Sequence, residues 1–174
     1  RDRYFVSGHA GLAPVELSPR SLGSSFAFSK GQVGVTGGWR PAERWNLLYQ
    51  AKLGSKTGRE FQHKFYLGGL DTSRGFLDRQ FRGEHMWFLN LEARPTLIEK
   101  PLWVLQGALF TGLAKTWDAR NFGVEGFGRP IVSYGAGARL IFPRGYREIL
   151  RVAAARTQSR VKQYGVNIGL QQFF

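Results

Sequence analysis

The chain has 174 residues, of which 14% are aromatic and 23 are glycine, and its formal net charge is +13. This length gives room for one domain, and no stretch approaches the roughly 18 to 20 uninterrupted apolar residues that a transmembrane helix needs. The composition therefore excludes a helical membrane protein. Apolar residues are plentiful but are not gathered into long runs, which favours strands that face lipid on one side and water on the other.

Alternating apolar and polar residues recur along the chain in segments of roughly ten residues, separated by Gly, Pro, Asn and Asp. The pattern predicts an all-β fold, an antiparallel transmembrane β-barrel with about eight strands per chain. The predicted strands are residues 25–39, 43–54, 60–68, 85–97, 102–116, 131–142, 148–157 and 162–174. Residues 24–174 form the predicted barrel domain. Residues 1–23, which Pro14, Pro19 and Gly23 interrupt, are treated as an N-terminal tether or partial strand.

The connections between the predicted strands differ in length. Tight turns are predicted at Glu99-Lys100-Pro101 and at residues 142–145, and longer polar loops rich in Gly and Arg at residues 69–84 and 117–130. Short turns on one side with long loops on the other match the periplasmic and extracellular ends of an outer-membrane barrel.

In two predicted strands, the side chains can be assigned clearly to opposite faces. In residues 85–97, Trp87, Leu89, Leu91 and Ala93 are predicted to face outward, and Phe88, Asn90, Glu92 and Arg94 inward. In the last segment, Tyr164, Val166, Ile168, Leu170 and Phe174 share the face that prefers lipid. A carboxylate and a guanidinium inside the lumen are expected to find partners. Five tryptophans near strand ends or lipid faces are interpreted as an interfacial girdle: Trp39, Trp45, Trp87, Trp103 and Trp117.

The distribution of charge and of reactive side chains argues against several other functions. Arg and Lys are scattered through presumed loops and strand faces, which favours cations that face a lumen or lipopolysaccharide over a nucleic-acid surface. The chain has no cysteine, and His9, His63 and His85 lack metal-binding spacing. No G-x-S-x-G elbow is present. We therefore expect no metal, no cofactor, no nucleic-acid partner and no enzymatic activity.

Four motifs, taken in order along the chain, resemble one family. The segment from Tyr66 to Phe76 reads YLGGLDTSRGF, and it is followed by NLEAR at residues 90–94, YGAGARL at residues 134–140 and a closing strand from Tyr164 to Phe174. Together they resemble the bacterial surface antigen superfamily, the outer-membrane assembly and secretion barrels typified by BamA, TamA and FhaC. The resemblance covers residues 60–174 well and residues 1–59 loosely.

The resemblance implies a loop that carries Arg74, Gly75 and Phe76 and folds back into the barrel. Arg74 would then be a cation in a confined lumen, where a bidentate carboxylate partner stabilises it best, and Glu92 is placed for that role. We predict an inward-loop lock formed by these four residues. It is interpreted either as purely structural or as part of a conformational cycle.

Further site residues follow from the same resemblance. The predicted loop-packing strand contributes Gly135, Gly137 and Arg139. The predicted C-terminal assembly signal consists of Tyr164, Ile168, Leu170 and Phe174. The resemblance also implies an acid in an F-x-D-x-G pattern, but residues 108–112 read ALFTG, without Asp. The lock is therefore either weaker here or completed by another group.

These features predict a barrel in the outer membrane of a Gram-negative bacterium that assists membrane-protein assembly or translocation. Expected partners are outer-membrane lipid and lipopolysaccharide, a second copy of the chain and client outer-membrane proteins. Relatives close about sixteen strands, so this chain supplies part of a longer protein, closes a small barrel alone, or forms a half barrel. We favour the homodimer of two halves. The alternatives in function are a passive structural or porin-like barrel and a soluble lipid-binding barrel.

Overall fold

The computed structural model describes residues 7–18, 28–58, 64–69, 72, 74–77, 79–118, 129–143, 148–158 and 164–172. Over these residues the chain forms eleven strands: β1 (Gly8–Leu12), β2 (Val15–Ser18), β3 (Phe28–Ala42), β4 (Trp45–Thr57), β5 (Phe65–Leu67), β6 (Phe81–Gly83), β7 (His85–Glu99), β8 (Val104–Trp117), β9 (Ile131–Ile141), β10 (Glu148–Gln158) and β11 (Tyr164–Gln172). None of the described residues belongs to a helix long and apolar enough to cross a membrane.

Nine strands form one antiparallel sheet in the order β1, β3, β4, β7, β8, β9, β10, β11, with β2 also paired to β3. From β7 onward, each strand pairs with the next along the chain. Strand β4 pairs with β7 because β5 and β6 form a separate small sheet. Within the described residues the edge strands β1 and β11 do not pair, so the sheet is open. The predicted all-β antiparallel fold is confirmed, whereas closure into a barrel is not observed in this part of the chain.

The predicted strand at residues 60–68 is described only from residue 64 onward, and there it is shorter than predicted. The described part of this segment forms only β5, which pairs with β6 inside the predicted 69–84 loop. Gly68 and Gly69 end the strand with φ angles of 131° and 85°, in a region of backbone conformation that glycine enters at little cost. The chain therefore turns back over the sheet instead of continuing as a long strand.

Side chains alternate between two faces of the sheet, as strand geometry requires. We call the face that carries Glu92 the inner face and the opposite one the outer face. In β7, Phe88, Glu92 and Arg94 are buried while Leu91 is 46% exposed, so the predicted faces of this strand are confirmed. One inner-face row of cross-strand neighbours runs through Leu48, Glu92, Phe110, Gly135, Ala155 and Gly165.

One of the buried apolar clusters lies between the inner face and the small β5–β6 sheet. Phe65 and Leu67 of β5 are buried in one cluster with Met86, Phe88 and Ala114 of the large sheet. Burying large apolar side chains stabilises this arrangement by about 1.5–3 kcal/mol each. The small sheet is therefore a cover fixed on the inner face of β7 and β8.

The outer face of the last strand is apolar and accessible. Tyr164, Ile168 and Leu170 are each at least two-thirds exposed there, while Phe174 lies outside the described residues. Among the tryptophans of the predicted girdle, Trp39 is exposed, but Trp117 is buried against the ring of His85. The girdle interpretation is therefore wrong for Trp117.

Candidate functional site

Residues 68–80 follow β5 in the chain, and we call this segment the covering loop; the structure describes its residues 68, 69, 72, 74–77, 79 and 80. Its start is fixed by the Thr72 hydroxyl, which accepts a hydrogen bond from the Gly68 N–H and donates one to the Gly68 carbonyl, both 2.8 Å long. The Gly69 N–H donates to the Phe76 carbonyl at 3.2 Å. A Cβ at Gly68 would collide with the Leu77 carbonyl, so the turn that directs the loop needs glycine at this position.

Hydrogen bonds between side chains of β7 and the described residues of the covering loop attach the loop to this strand. Asn90 Nδ2 donates to the Thr72 carbonyl at 2.9 Å, and Arg74 Nη2 donates to Glu92 Oε2 at 2.5 Å. Asn90 and Glu92 are two residues apart, so both side chains project from the same face of the strand. The structure therefore brings together Arg74 and Glu92 of the predicted lock, and it adds Asn90, which the sequence reasoning did not assign to the site.

Glu92 lies at the centre of a cluster of guanidinium groups. Arg94 Nε donates to its Oε1 at 2.6 Å, Arg74 occupies its Oε2, and Arg151 Nη2 lies 4.0 Å from the same oxygen. The carboxylate is only 7% exposed. A buried charge is stabilised only when it is paired and hydrogen-bonded, and here both carboxylate oxygens have a cationic donor. The arrangement ties the covering loop to β7 and brings β10 close to the same carboxylate.

Phe110 of β8 occupies the position where the resemblance implies an Asp. The Arg74 guanidinium carbon lies 4.6 Å from the centre of its ring, a distance suited to a cation–π interaction. A Cβ at Gly135 would lie 2.7 Å from Phe110 Cζ, so the glycine on β9 leaves the space that the ring fills. The missing acid is thus replaced by an aromatic surface under the same guanidinium.

The tip of the covering loop reaches the last two strands. Gly75 has a φ of 91°, and a Cβ on it would lie 2.8 Å from the Ala155 Cβ. A Cβ on Gly165 of β11 would lie 3.1 Å from the Gly75 Cα. Small residues on both sides therefore permit backbone contact between the loop tip and the sheet.

The other predicted site residues occupy different positions. Phe76 is buried against Phe81, with ring centroids 4.9 Å apart in an edge-to-face arrangement, so it fixes the loop to the cover rather than to Glu92. Gly137 lies closest to the β10 backbone at Val152 and Ala153. Arg139 is 1% exposed on the inner face, beside Arg151.

No protein-family model matches the chain, and no curated protein matches it significantly. The fold and the site themselves define an all-β protein with one large antiparallel sheet. Its outer face is apolar, and its charged inner face is covered by a loop anchored at Glu92.

Proposed function

We propose that this chain forms strands of an outer-membrane β-barrel that assists the insertion or translocation of membrane proteins. The observation that carries the proposal is the covering loop, whose Arg74-Gly75-Phe76 segment lies on the inner face with Arg74 paired to Glu92. An inward loop anchored in this way is what the resemblance to the assembly and secretion barrels implies. Such a protein performs no covalent chemistry and needs no cofactor.

The accessible apolar surface of the outer face supports a membrane location. It carries large apolar side chains that are at least 38% exposed: Val33, Val35, Leu53, Leu91, Leu109, Tyr134, Leu150, Val152, Tyr164, Val166, Ile168 and Leu170. Such a continuous patch is unusual on a soluble monomer, and it suits contact with acyl chains. Outer-membrane lipid and lipopolysaccharide are therefore the proposed surroundings, and the alternative of a soluble lipid-binding barrel is disfavoured.

The two open edges of the sheet support a partner that adds strands. In lipid, each unpaired backbone group at an edge costs several kcal/mol, and β1 and β11 are both edges in the described residues. We favour a second copy that joins edge to edge and completes the barrel. The mass of the detergent-solubilised protein, corrected for detergent, tests this: about two chains is the expected result, and one chain would contradict the homodimer.

In the proposed mechanism, a seam at β11 opens laterally and offers its edge to an incoming strand. Pairing of a client strand with an exposed edge is ordinary β-augmentation. The covering loop reaches this seam through Gly75, which packs against Gly165. The Arg74–Glu92 pair then serves to keep the loop in place while the edge exchanges partners.

Client folding in proteoliposomes tests the activity. Urea-unfolded outer-membrane protein is diluted onto vesicles with or without the reconstituted chain, and folding is followed by the gel shift of the unheated client. We expect faster folding with the wild-type protein and a partial loss of this acceleration in Glu92→Gln. The exposed turn variant Lys100→Gln serves as a matched control. Equal client folding rates with and without the protein would contradict assistance.

A passive structural or porin-like barrel is the second candidate, and Phe110 is the observation that favours it. The ring supplies an apolar surface where the resemblance implies a carboxylate, so the covering loop has one charged anchor fewer. Steady ion conductance in planar bilayers without any acceleration of client folding would favour this candidate. Conductance that rises when Glu92 is replaced would indicate that the covering loop obstructs the lumen.

A further inference from the structure

A cavity separate from the Glu92 cluster lies on the inner face between β3, β4 and the β5 end of the cover. Its volume is about 460 Å³, within the roughly 300–1,000 Å³ that is usual for small-ligand sites. Among its described lining residues are four cations, Lys30, Lys52, Lys64 and Arg79, and no carboxylate. Aromatic side chains complete the wall, notably Phe65 and Phe88. The cavity is thus both cationic and partly apolar.

Two lysines of this cavity belong to the sheet itself. Lys30 lies directly opposite Lys56 in the β3–β4 register, and its Nζ lies 4.8 Å from the centre of the Phe65 ring, a distance suited to a cation–π interaction. Lys52 is flanked across the sheet by Gly34 and Phe88. No hydrogen bond or ion pair joins Lys52 to another of the described residues.

The cover supplies the remaining cations in fixed positions. Lys64 Nζ is held 2.8 Å from Asp118 Oδ2. The Arg79 guanidinium carbon lies 5.8 Å from the centre of the Tyr66 ring. Arg79 also has a φ of 55°, a left-handed conformation uncommon for residues other than glycine. Such local strain concentrates at ligand sites.

We propose that this cavity binds an organic phosphate. The phosphate group would lie among Lys30, Lys52 and Arg79, because guanidinium and ammonium groups are the usual phosphate partners. The organic part would pack against Phe65 and Phe88. The proposal does not depend on whether the barrel assists membrane-protein assembly.

Calorimetric titration of the detergent-solubilised protein with phenyl phosphate tests the site. We expect saturable binding at low salt that weakens as salt is added, since exposed charge pairs are screened. Lys30→Gln and Lys52→Gln should each weaken binding at least tenfold, Lys52→Arg should retain most of it, and Lys100→Gln should leave it unchanged. An equal loss in Lys100→Gln would mean non-specific attraction to a basic protein and would overturn the proposal, as would an absence of saturable binding.

Three further probes separate the parts of the ligand and its source. Inorganic phosphate should bind more weakly than phenyl phosphate, because it lacks the ring. Benzyl alcohol should not displace bound phenyl phosphate, because it lacks the charge. If benzyl alcohol did displace bound phenyl phosphate, the role of the cations would be refuted. Phosphatidic acid added to nanodiscs should compete with phenyl phosphate if the natural phosphate is on a lipid headgroup. No competition would assign the site to a soluble phosphate ester.

The urea unfolding midpoint of the ligand-free protein distinguishes a binding role from a structural one. Removing a lysine whose role is to bind ligand should change the midpoint little. We therefore expect Lys52→Gln to be as stable as the wild type without ligand, and Lys30→Gln to lose only the small contribution of its contact with the Phe65 ring. A large drop in their midpoints would show that the lysines maintain the sheet, and it would contradict the proposal.

Discussion

Replacing Glu92 by Gln is the most direct perturbation of the candidate site. The amide keeps the volume of the side chain but removes the charge that faces three guanidinium groups, those of Arg74, Arg94 and Arg151. The variant therefore tests whether the carboxylate holds the covering loop through its charge.

The magnitude follows from the two short hydrogen bonds that Glu92 accepts, at 2.5 Å from Arg74 and 2.6 Å from Arg94. A hydrogen bond to a charged group contributes about 1.5–3 kcal/mol, and breaking a buried ion pair costs about 3–5 kcal/mol. The amide oxygen can still accept one bond, so we expect the free energy of unfolding to fall by about 3 kcal/mol, near the low end of that range.

The assay is urea unfolding in detergent micelles, followed by tryptophan fluorescence and circular dichroism. Trypsin cleavage after Arg74 under native conditions reports on the loop itself, and we expect it to accelerate in Glu92→Gln. Glu99→Gln, at the exposed end of β7, is the matched control. It should change stability by less than about 0.5 kcal/mol.

A double-mutant cycle with Arg74→Gln isolates the pair. Residues in direct contact show coupling energies of about 0.5–3 kcal/mol, and we expect a value in the upper half of that range. If Glu92→Gln were as stable as the wild type, or if its effect simply added to that of Arg74→Gln, the carboxylate would not anchor the covering loop.

Three other predictions concern Phe110, Gly75 and Asp118. Phe110→Leu removes the ring under the Arg74 guanidinium and should lower the free energy of unfolding by about 1–2 kcal/mol; urea titration should show a smaller loss when Arg74 is already Gln. Gly75→Ala places a Cβ on left-handed backbone beside Ala155. It should cost about 1–3 kcal/mol by the same measurement. Asp118→Asn should reduce the loss of stability that the wild type shows in acid, as measured by urea unfolding at a series of pH values.

Each of these predictions has a control or an opposing outcome. Phe110→Tyr keeps the ring face and should preserve most of the stability, so equal losses in the Leu and Tyr variants would argue against the cation–π contact. Gly31→Ala adds a Cβ into open space on β3 and should be nearly neutral. A loss in Gly31→Ala equal to that in Gly75→Ala would show that tip packing is not the cause.

The sign of the pH prediction follows from the groups around Asp118. The hydrogen bond from Lys64 and that from the Glu84 N–H hold the pKa of Asp118 below its ordinary value. The resulting stability is present above the unfolded pKa of about 3.9 and is lost as the pH falls through the lower folded pKa. Because Asp118 is more than half exposed, the effect should stay below about 1 kcal/mol. Identical acid profiles for the wild type and Asp118→Asn would refute the linkage.

The long strands could be predicted from the sequence because their side chains alternate and Gly and Pro separate them. The predicted strand 85–97 corresponds to His85–Glu99, and the predicted strand 148–157 corresponds to Glu148–Gln158. The cover could not be predicted in this way. Phe65-Tyr66-Leu67 alternates like a barrel strand, and only its packing on Met86 and Phe88 distinguishes it from one.

Within the site, the pairing of Arg74 with Glu92 was predictable, because the alternation of β7 places Glu92 on the inward face and the resemblance of the motifs implies a loop that carries Arg74 to that face. The role of Phe110 was not, because it depends on cross-strand register. Phe110 faces Glu92 on one side and Gly135 on the other, and the β7–β8 register includes an irregularity between Thr96 and Ile98. The sequence alone does not specify such a shift.

The covering loop is held at two places, one in the interior of the sheet and one that includes an edge strand. Arg74 is bound to Glu92 in the interior of the sheet, where β7 has neighbours on both sides. Gly75 instead packs against Ala155 and Gly165, and β11, which carries Gly165, is an edge strand in the described residues. Movement of β11 away from β10 would remove one side of the Gly75 contact and leave the Arg74 pair intact. The loop tip is therefore the part of the site that responds to the edge, while Glu92 is the part that keeps the loop attached.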